Sequence, residues 1–345
     1  MTKIEWVQNP NGTPGETWNP ISGCSKISDG CRHCFAERMF PRVYGRDMVP
    51  TSDVESNAAA QRRRRFTDVK CHPDRLDKPL RWRKPRRVFV NSMSDLFHDD
   101  VPNEFLLQVF DVMRACHTAA ANYYPERHVF QILTKRPKRM RDFCQRLRWD
   151  GSANDGKGRI WLADNVYDNG YRLMGGNGCS GLTSIWLGVS VEDQKTADQR
   201  IPILLDTPAA VHWVSAEPLL GQVDLGLIGT VSKDITGGTY CHTADMLNWI
   251  VCGGESGPKA RLCDVAWIRS IVEQCKAAET PVFVKQLGAH VMWDGRSLPG
   301  PEWFERTGGA TDYARVRLED RRGANPEEWP DDLRVREWPK QEVMT

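Results

Sequence analysis

The chain has 345 residues, 40% apolar and 27% charged, which suits an ordinary soluble protein with one large α/β domain or two smaller ones. Its net charge of +2 singles out no partner, and no apolar run is long enough to span a bilayer. Eleven cysteines, behind a first dozen residues without a signal-peptide apolar core, lead us to expect a reducing cytoplasm where thiols stay free or hold metal.

Residues 1 to 16 are polar and rich in Pro and Gly, so they read as an extended lead-in. Thr17 to Gly23 is the first expected strand. Directly after it come Cys24, Cys31 and Cys34, spaced C-x6-C-x2-C, and then a helix from Phe35 to about Tyr44. Thr51 to Arg83 reads as basic and irregular, with a helix near Glu55 to Arg65. From there short β-branched and aromatic runs recur: Arg87–Val90, Val129–Leu133, Ile185–Val189, Val211–Val214, Trp249–Cys252 and Val282–Val284. Each ends in polar or small residues, and most precede a helical stretch. Phe105, Leu106, Val109, Phe110 and Met113 mark one helix over Asn103 to Cys116, and Pro137 can open another. With Thr17–Gly23 there are seven strand candidates.

Continuous apolar strands alternating with helices predict a parallel sheet. Polar residues at the C-terminal end of each strand match a full or partial (β/α) barrel, whose sites lie on the βα loops. No G-x-G-x-x-G follows the first strand, which argues against a dinucleotide-binding sheet. Residues 1–289 are expected to form the barrel, with the Gly- and Asn-rich stretch near 151–184, including Met174 to Cys179, as an insertion or lid. Residues 290–345, with Pro299-Gly300-Pro301, read as an irregular extension packed on the barrel. Trp186, Trp213 and Trp249 read as core residues.

Three thiols on one loop are soft ligands that can take three irons of a [4Fe-4S] cluster and leave the fourth open. Structural zinc usually takes two ligand pairs, and there is no second C-x2-C in the chain. Zinc completed by His33 or a distant ligand, or no metal at all, remain the alternatives. Cys252 and Cys116 read as buried core thiols, and Cys71-His72, Cys116-His117 and Cys241-His242 as scattered pairs.

The loop TWNPISGCSKISDGCRHCFAER resembles the cluster loop of radical S-adenosylmethionine (SAM) enzymes, with x6 where that superfamily usually has x3. Together with NSMSDLFH at 91–98, ILTKRP at 132–137, SAEPLLG at 215–221, VCGGESG at 251–257 and NPEEWPDDLRVREWP at 325–339, it also resembles a phage-type family of unknown function related to those enzymes. The resemblance implies a radical SAM-like partial barrel, a [4Fe-4S] cluster on Cys24, Cys31 and Cys34, SAM as cofactor, and an electron donor such as a flavodoxin or ferredoxin. Asn91, Ser92, Ser94 and Asp95 lie where the superfamily keeps its ammonium-binding segment, although the Gly-Gly-Glu of that segment is missing. Lys135 or Arg136 suits the SAM carboxylate, Ser190 and Glu192 the ribose, and Glu217 is a second carboxylate. Gly253, Gly254 and Glu255 come too late in strand order for the ammonium and suit close approach to the adenine or substrate. For each of these residues, a strand-end cap or loop hydrogen bond is the bland alternative.

Basic runs at 61–65, 81–87 and 135–141 place Arg62, Arg63, Arg64, Arg65, Arg136, Lys138 and Arg139 as candidates for a nucleic-acid backbone, with a solvated charged face as the alternative. These runs and the phage-type resemblance suggest radical chemistry on a modified or damaged nucleobase, flipped into the barrel mouth if it starts in a duplex. A peptide or small-metabolite substrate is one alternative reading. A non-catalytic, zinc-stabilised nucleic-acid-binding protein is another.

Overall fold

The computed structural model describes residues 2, 4–50, 61–123, 128–149, 160–164, 171–172, 183–226, 232–233, 239–240, 247–293, 304–306, 314–316 and 318–339. Seven strands form its central sheet: β1 Glu16–Trp18, β2 Arg87–Val90, β3 Val129–Thr134, β4 Ile185–Val191, β5 Val211–Ala216, β6 Trp249–Gly253 and β7 Val282–Gln286. They lie side by side in chain order, and every pair is parallel. A sheet wound in one direction like this curls, and here it makes an open half-barrel.

All seven strands were expected, but the first is shorter. β1 stops at Trp18, and Ile21–Ser22 leaves the sheet to pair antiparallel with Lys70–Cys71. Pro20 has no N–H to continue a ladder, and its carbonyl instead accepts His72 N–H at 2.7 Å. The helices are α1 Phe35–Tyr44, α2 Asn103–Tyr123, α3 Pro137–Arg146, α4 Gln194–Leu205 and α5 Val265–Ala277. α2 runs a further two turns past Cys116. The helix expected near Glu55 to Arg65 is not seen where the chain is described: Gln61–Arg63 is a strand paired with Met48–Pro50. Four successive arginines offer no apolar stripe for a helix to bury, and an extended chain sends them to opposite sides. Glu55 to Ala60 lies outside the described residues, as do Met174 to Cys179, Cys241, His242 and Pro299 to Pro301.

Within 151–184, Ile160–Leu162 and Tyr171–Arg172 flank Leu147–Trp149 in a small antiparallel sheet. The C-terminal part is less irregular than expected. Val291–Trp293, Ala314–Val316 and Phe304–Arg306 join Cys263–Asp264 in a four-stranded sheet. No helix among the described residues is long and apolar enough to cross a membrane.

Strand parity builds two cores. Val88, Val90, Ile185, Leu187, Val214, Ile250, Cys252, Val282 and Val284 face the helices. The alternate positions Phe89, Trp186, Trp213, Trp249 and Phe283 fill the concave side, joined by Trp6 from the turn Glu5–Val7. Trp6 packs 5.2 Å from Trp213 and 4.8 Å from Phe89, and Trp213 lies 5.4 Å from Trp249, measured between ring centroids. Two to six residues farther along the chain, the same parity turns polar. It gives Asn91, Gln131, Ser190, Ser215 and Lys285, and then Lys135, Glu192, Glu217 and Glu255. The concave side therefore has an aromatic floor and a charged mouth.

Candidate metal centre

The cysteine loop crosses that mouth. It starts at Gly23, whose φ of +91° suits glycine and whose missing Cβ leaves room for the Phe66 and Asp68 carbonyls. Cys24 N–H donates to the Phe66 carbonyl at 2.8 Å, and Gly23 bridges in parallel to Ser94. The loop ends where Cys34 becomes the N-cap of α1.

The three thiols are half-buried, and each has a different hydrogen-bond partner. Arg136 Nη1 donates to Cys24 Sγ at 3.6 Å. Ser28 Oγ lies 3.8 Å from Cys31 Sγ. The backbone N–H groups of Glu37 and Ala36, in the first turn of α1, point to Cys34. Burial and then the nearby Asp95 carboxylate push the Cys24 thiol up to about 11, against the pull of Arg136. Burial also raises Cys34, against those two N–H groups. Cys31 is close enough to raise both electrostatically. Among the described residues, no three His, Cys, Asp or Glu side chains converge on a point where one metal ion would sit.

The family described as "Protein of unknown function (DUF5131)" matches residues 1–329. The chain belongs to the DUF5131 family. No curated protein and no solved structure matches it.

Most strand-end residues singled out in this DUF5131 chain brace the loop. Asp95 is buried; its Oδ1 accepts from Thr134 Oγ1 at 2.7 Å and Phe97 N–H at 3.0 Å, and its Oδ2 from Lys135 N–H and Arg136. Arg136 also donates to the Ser25 carbonyl and hydroxyl. His98 accepts Asp100 N–H on Nδ1, so its Nε2 carries the proton and donates to Ser25 Oγ at 2.8 Å. Glu192 is buried, accepts from Ser28 Oγ at 3.1 Å, and pairs with Lys135 and Arg200. Glu255 holds Arg261 through two nitrogens and its backbone N–H, and meets His33 Nδ1 at 3.2 Å. Arg261 in turn donates to the Asp29 carbonyl at 2.9 Å. Ser92 bonds Asn19, and Ser94 bonds the Ile21 carbonyl, so both shape the backbone under the loop.

Gly253 and Gly254 make room for the neighbouring strand. A Cβ at Gly253 would lie 2.6 Å from the Gln286 carbonyl, and one at Gly254 2.2 Å from the Leu287 carbonyl. The close approach seen is that of the neighbouring strand and its continuation. Glu217 pairs with Lys285 at 3.2 Å, and Ser190 donates to the Glu217 carbonyl. Asn91 and Gln131 are buried on the concave face, and their amide nitrogens and oxygens have no hydrogen-bond partner.

The basic candidates divide. Arg64 is buried, bonds Ser22 and the Asp68 carbonyl, and lies over the Phe40 and Tyr44 rings. Arg139 is spent on the His98 and Val101 carbonyls, and Arg136 on the cysteine loop. Arg62 pairs with Asp68 through two bonds. Arg63, Arg65 and Lys138 remain on the surface. A cleft of about 970 Å³ is lined by Ile27 of the loop, Lys138 and Arg146 of α3, and Gln199 and Ile203 of α4. Sequence reasoning missed Ser25, Ser28, His98, Arg200 and Arg261. Ser25 and Ser28 stand inside the cysteine spacing and could have been suspected; Arg200 and Arg261 carry no motif.

Proposed function

We propose that this chain is a radical SAM enzyme, with a [4Fe-4S] cluster held by Cys24, Cys31 and Cys34 in a half-barrel of the radical SAM kind. The observation that carries the reading is a single loop of three half-buried thiols, each with its own hydrogen-bond partner, over the C-terminal mouth of a parallel half-barrel. The donor set fits the group. Three soft thiols on one loop, with no second C-x2-C in the chain, suit three corners of a cluster better than the two ligand pairs of a structural zinc ion. His33, the candidate fourth zinc ligand, is engaged by Glu255.

When bound, the cluster and SAM would supply one-electron cleavage of SAM to a 5′-deoxyadenosyl radical. The chain's own residues hold, orient and shield. Arg136, Ser28 and the start of α1 spread the negative charge of the thiolates. The Lys135–Glu192 and Lys285–Glu217 pairs offer a cation and an anion each to the carboxylate and ammonium of SAM. The tryptophan floor excludes water from below.

The substrate we favour is a modified or damaged nucleobase in nucleic acid, and the electron donor a protein of the flavodoxin or ferredoxin class. The nucleic-acid part rests on the exposed Arg63, Arg65 and Lys138 and on the cleft beside the loop. A peptide or small metabolite is the second reading. It is favoured by the internal use of Arg64, Arg136 and Arg139, which leaves fewer cations for a phosphate backbone.

Anaerobic reconstitution tests the function. The protein should take up about four irons per chain and, once reduced, cleave SAM to 5′-deoxyadenosine. Both should vanish when Cys24, Cys31 and Cys34 are replaced together by Ala. SAM cleavage that survives in that triple variant refutes the proposal.

A further inference from the structure

The three sulfurs do not have equal surroundings. Cys31 has a neutral hydroxyl beside it and Cys34 has backbone amides, with Lys26 acting on both from a distance and Lys135 on Cys34, but Cys24 accepts a hydrogen bond directly from a buried guanidinium. Arg136 cannot easily turn away. Its Nη1 is shared between Cys24 Sγ at 3.6 Å and Asp95 Oδ2 at 3.2 Å, and its Nη2 is held by the Ser25 carbonyl and hydroxyl at 3.2 and 2.9 Å. Nε faces Asp99 at 3.8 Å. A planar fork anchored on several sides keeps a fixed positive charge against one sulfur. Asp95 is equally fixed by Thr134, Phe97 N–H and Lys135 N–H, so it draws on that charge from the other side.

We infer that Arg136 sets the reduction potential of the cluster held by Cys24, with Asp95 as its counterweight. The inference rests on the function proposed above. The step concerned is the transfer of one electron from a flavodoxin- or ferredoxin-class donor to the cluster, which gains one negative charge while the donor is oxidised by one electron. No bond or proton changes hands. A cationic hydrogen bond to a ligand sulfur favours the more negative, reduced form, so Arg136 makes that electron easier to accept. Asp95 opposes it. Arg136 is a positioning residue that acts through Cys24 and need not touch the substrate.

The test is a redox titration, followed by electron paramagnetic resonance, of the reconstituted full chain and three variants. Iron content and visible absorption are measured first. Arg136→Gln should make the cluster harder to reduce by at least tenfold in the reduction equilibrium, about 59 mV for one electron. Asp95→Asn should shift it the opposite way, because the whole guanidinium charge then bears on Cys24. Arg136→Lys, which keeps the charge but not the fork, should fall between the parent and the Gln variant. Opposite shifts for positions 136 and 95 support the assignment, since mere loosening of the loop would move both in one direction. Coincident potentials, or shifts of the same sign, overturn it while leaving the proposed function standing. If Arg136→Gln takes up no iron, the Lys and Asn variants decide on the same criteria. A parent protein that takes up no iron overturns the function, and this inference with it.

Discussion

Gly30 sits against the side chain of Glu192, and an added Cβ would lie 2.4 Å from the Glu192 Cγ. That carboxylate has little freedom to move, because Lys135, Arg200 and Ser28 all hold it. Gly30→Ala must therefore lift the turn Asp29–Cys31 off the mouth. Overpacking of this kind costs about 1–3 kcal/mol. We expect the variant to keep its far-ultraviolet circular dichroism, unfold at lower urea, and take up several-fold less iron than the parent. Parental iron content and an unchanged urea midpoint would show that the loop tolerates the side chain.

The cysteine loop is tied at three places to four strand ends: Asp95 with Arg136 after β2 and β3, Glu192 after β4, and Glu255 with Arg261 after β6. The last tie can be cut separately. Arg261→Ala removes the donor to the Asp29 carbonyl and both side-chain bonds to Glu255, which keeps only His33 and the backbone N–H of residue 261. The expected cost is about 1–3 kcal/mol, as for a partly buried carboxylate that loses its main partner. Amide exchange should quicken over residues 28–34 and stay as it was near Asp95. Unchanged exchange over the loop would mean that Arg261 only decorates it. Much of this arrangement was readable beforehand. Strand parity carries Trp186 to Ser190 and Glu192 on one face, so both the floor and the mouth follow from the period of two. The cysteine spacing located the loop. The pairings across the mouth were not readable, because Ser28–Glu192 and Arg261–Asp29 join residues 164 and 232 positions apart. A run of arginines likewise looks uniform in sequence, yet folding buries Arg64 and leaves Arg63 outside. Whether a charge meets solvent or a carbonyl is decided only by what packs against it.

Acid sensitivity belongs to the fold as a unit. His72 is buried against Ser22, with Nε2 and Oγ 2.6 Å apart and Arg75, Arg64 and Lys70 nearby. Burial, then these cations, lower it from 6.5 to about 4. Burial also lowers His98 and His128. In the unfolded chain the His72 ring takes up a proton near pH 6.5, whereas the folded chain resists until about pH 4. Its contribution is therefore complete above pH 6.5 and is lost as the pH falls from there to about 4, on the order of 2 kcal/mol. Urea midpoints measured between pH 7.5 and 4.5 should fall, and His72→Gln should flatten the fall. An equal fall in the variant would place the sensitivity elsewhere.

Chain from both far ends meets beside the free edge of β7. Residues 335–337 run along the free edge of β7, where Val284 N–H meets the Val335 carbonyl and Glu337 N–H meets the Val282 carbonyl. Next to them, Trp338 Nε1 donates to the Trp6 carbonyl across 332 positions of sequence. A nascent chain thus emerges with its thiol loop long before this contact can form. Contacts between segments so distant in sequence form slowly as a rule, so we expect this one to form late in folding. Until residue 338 has been made, the Trp6 carbonyl lacks this donor, and the turn that carries Trp6 onto the aromatic floor lacks its C-terminal tie.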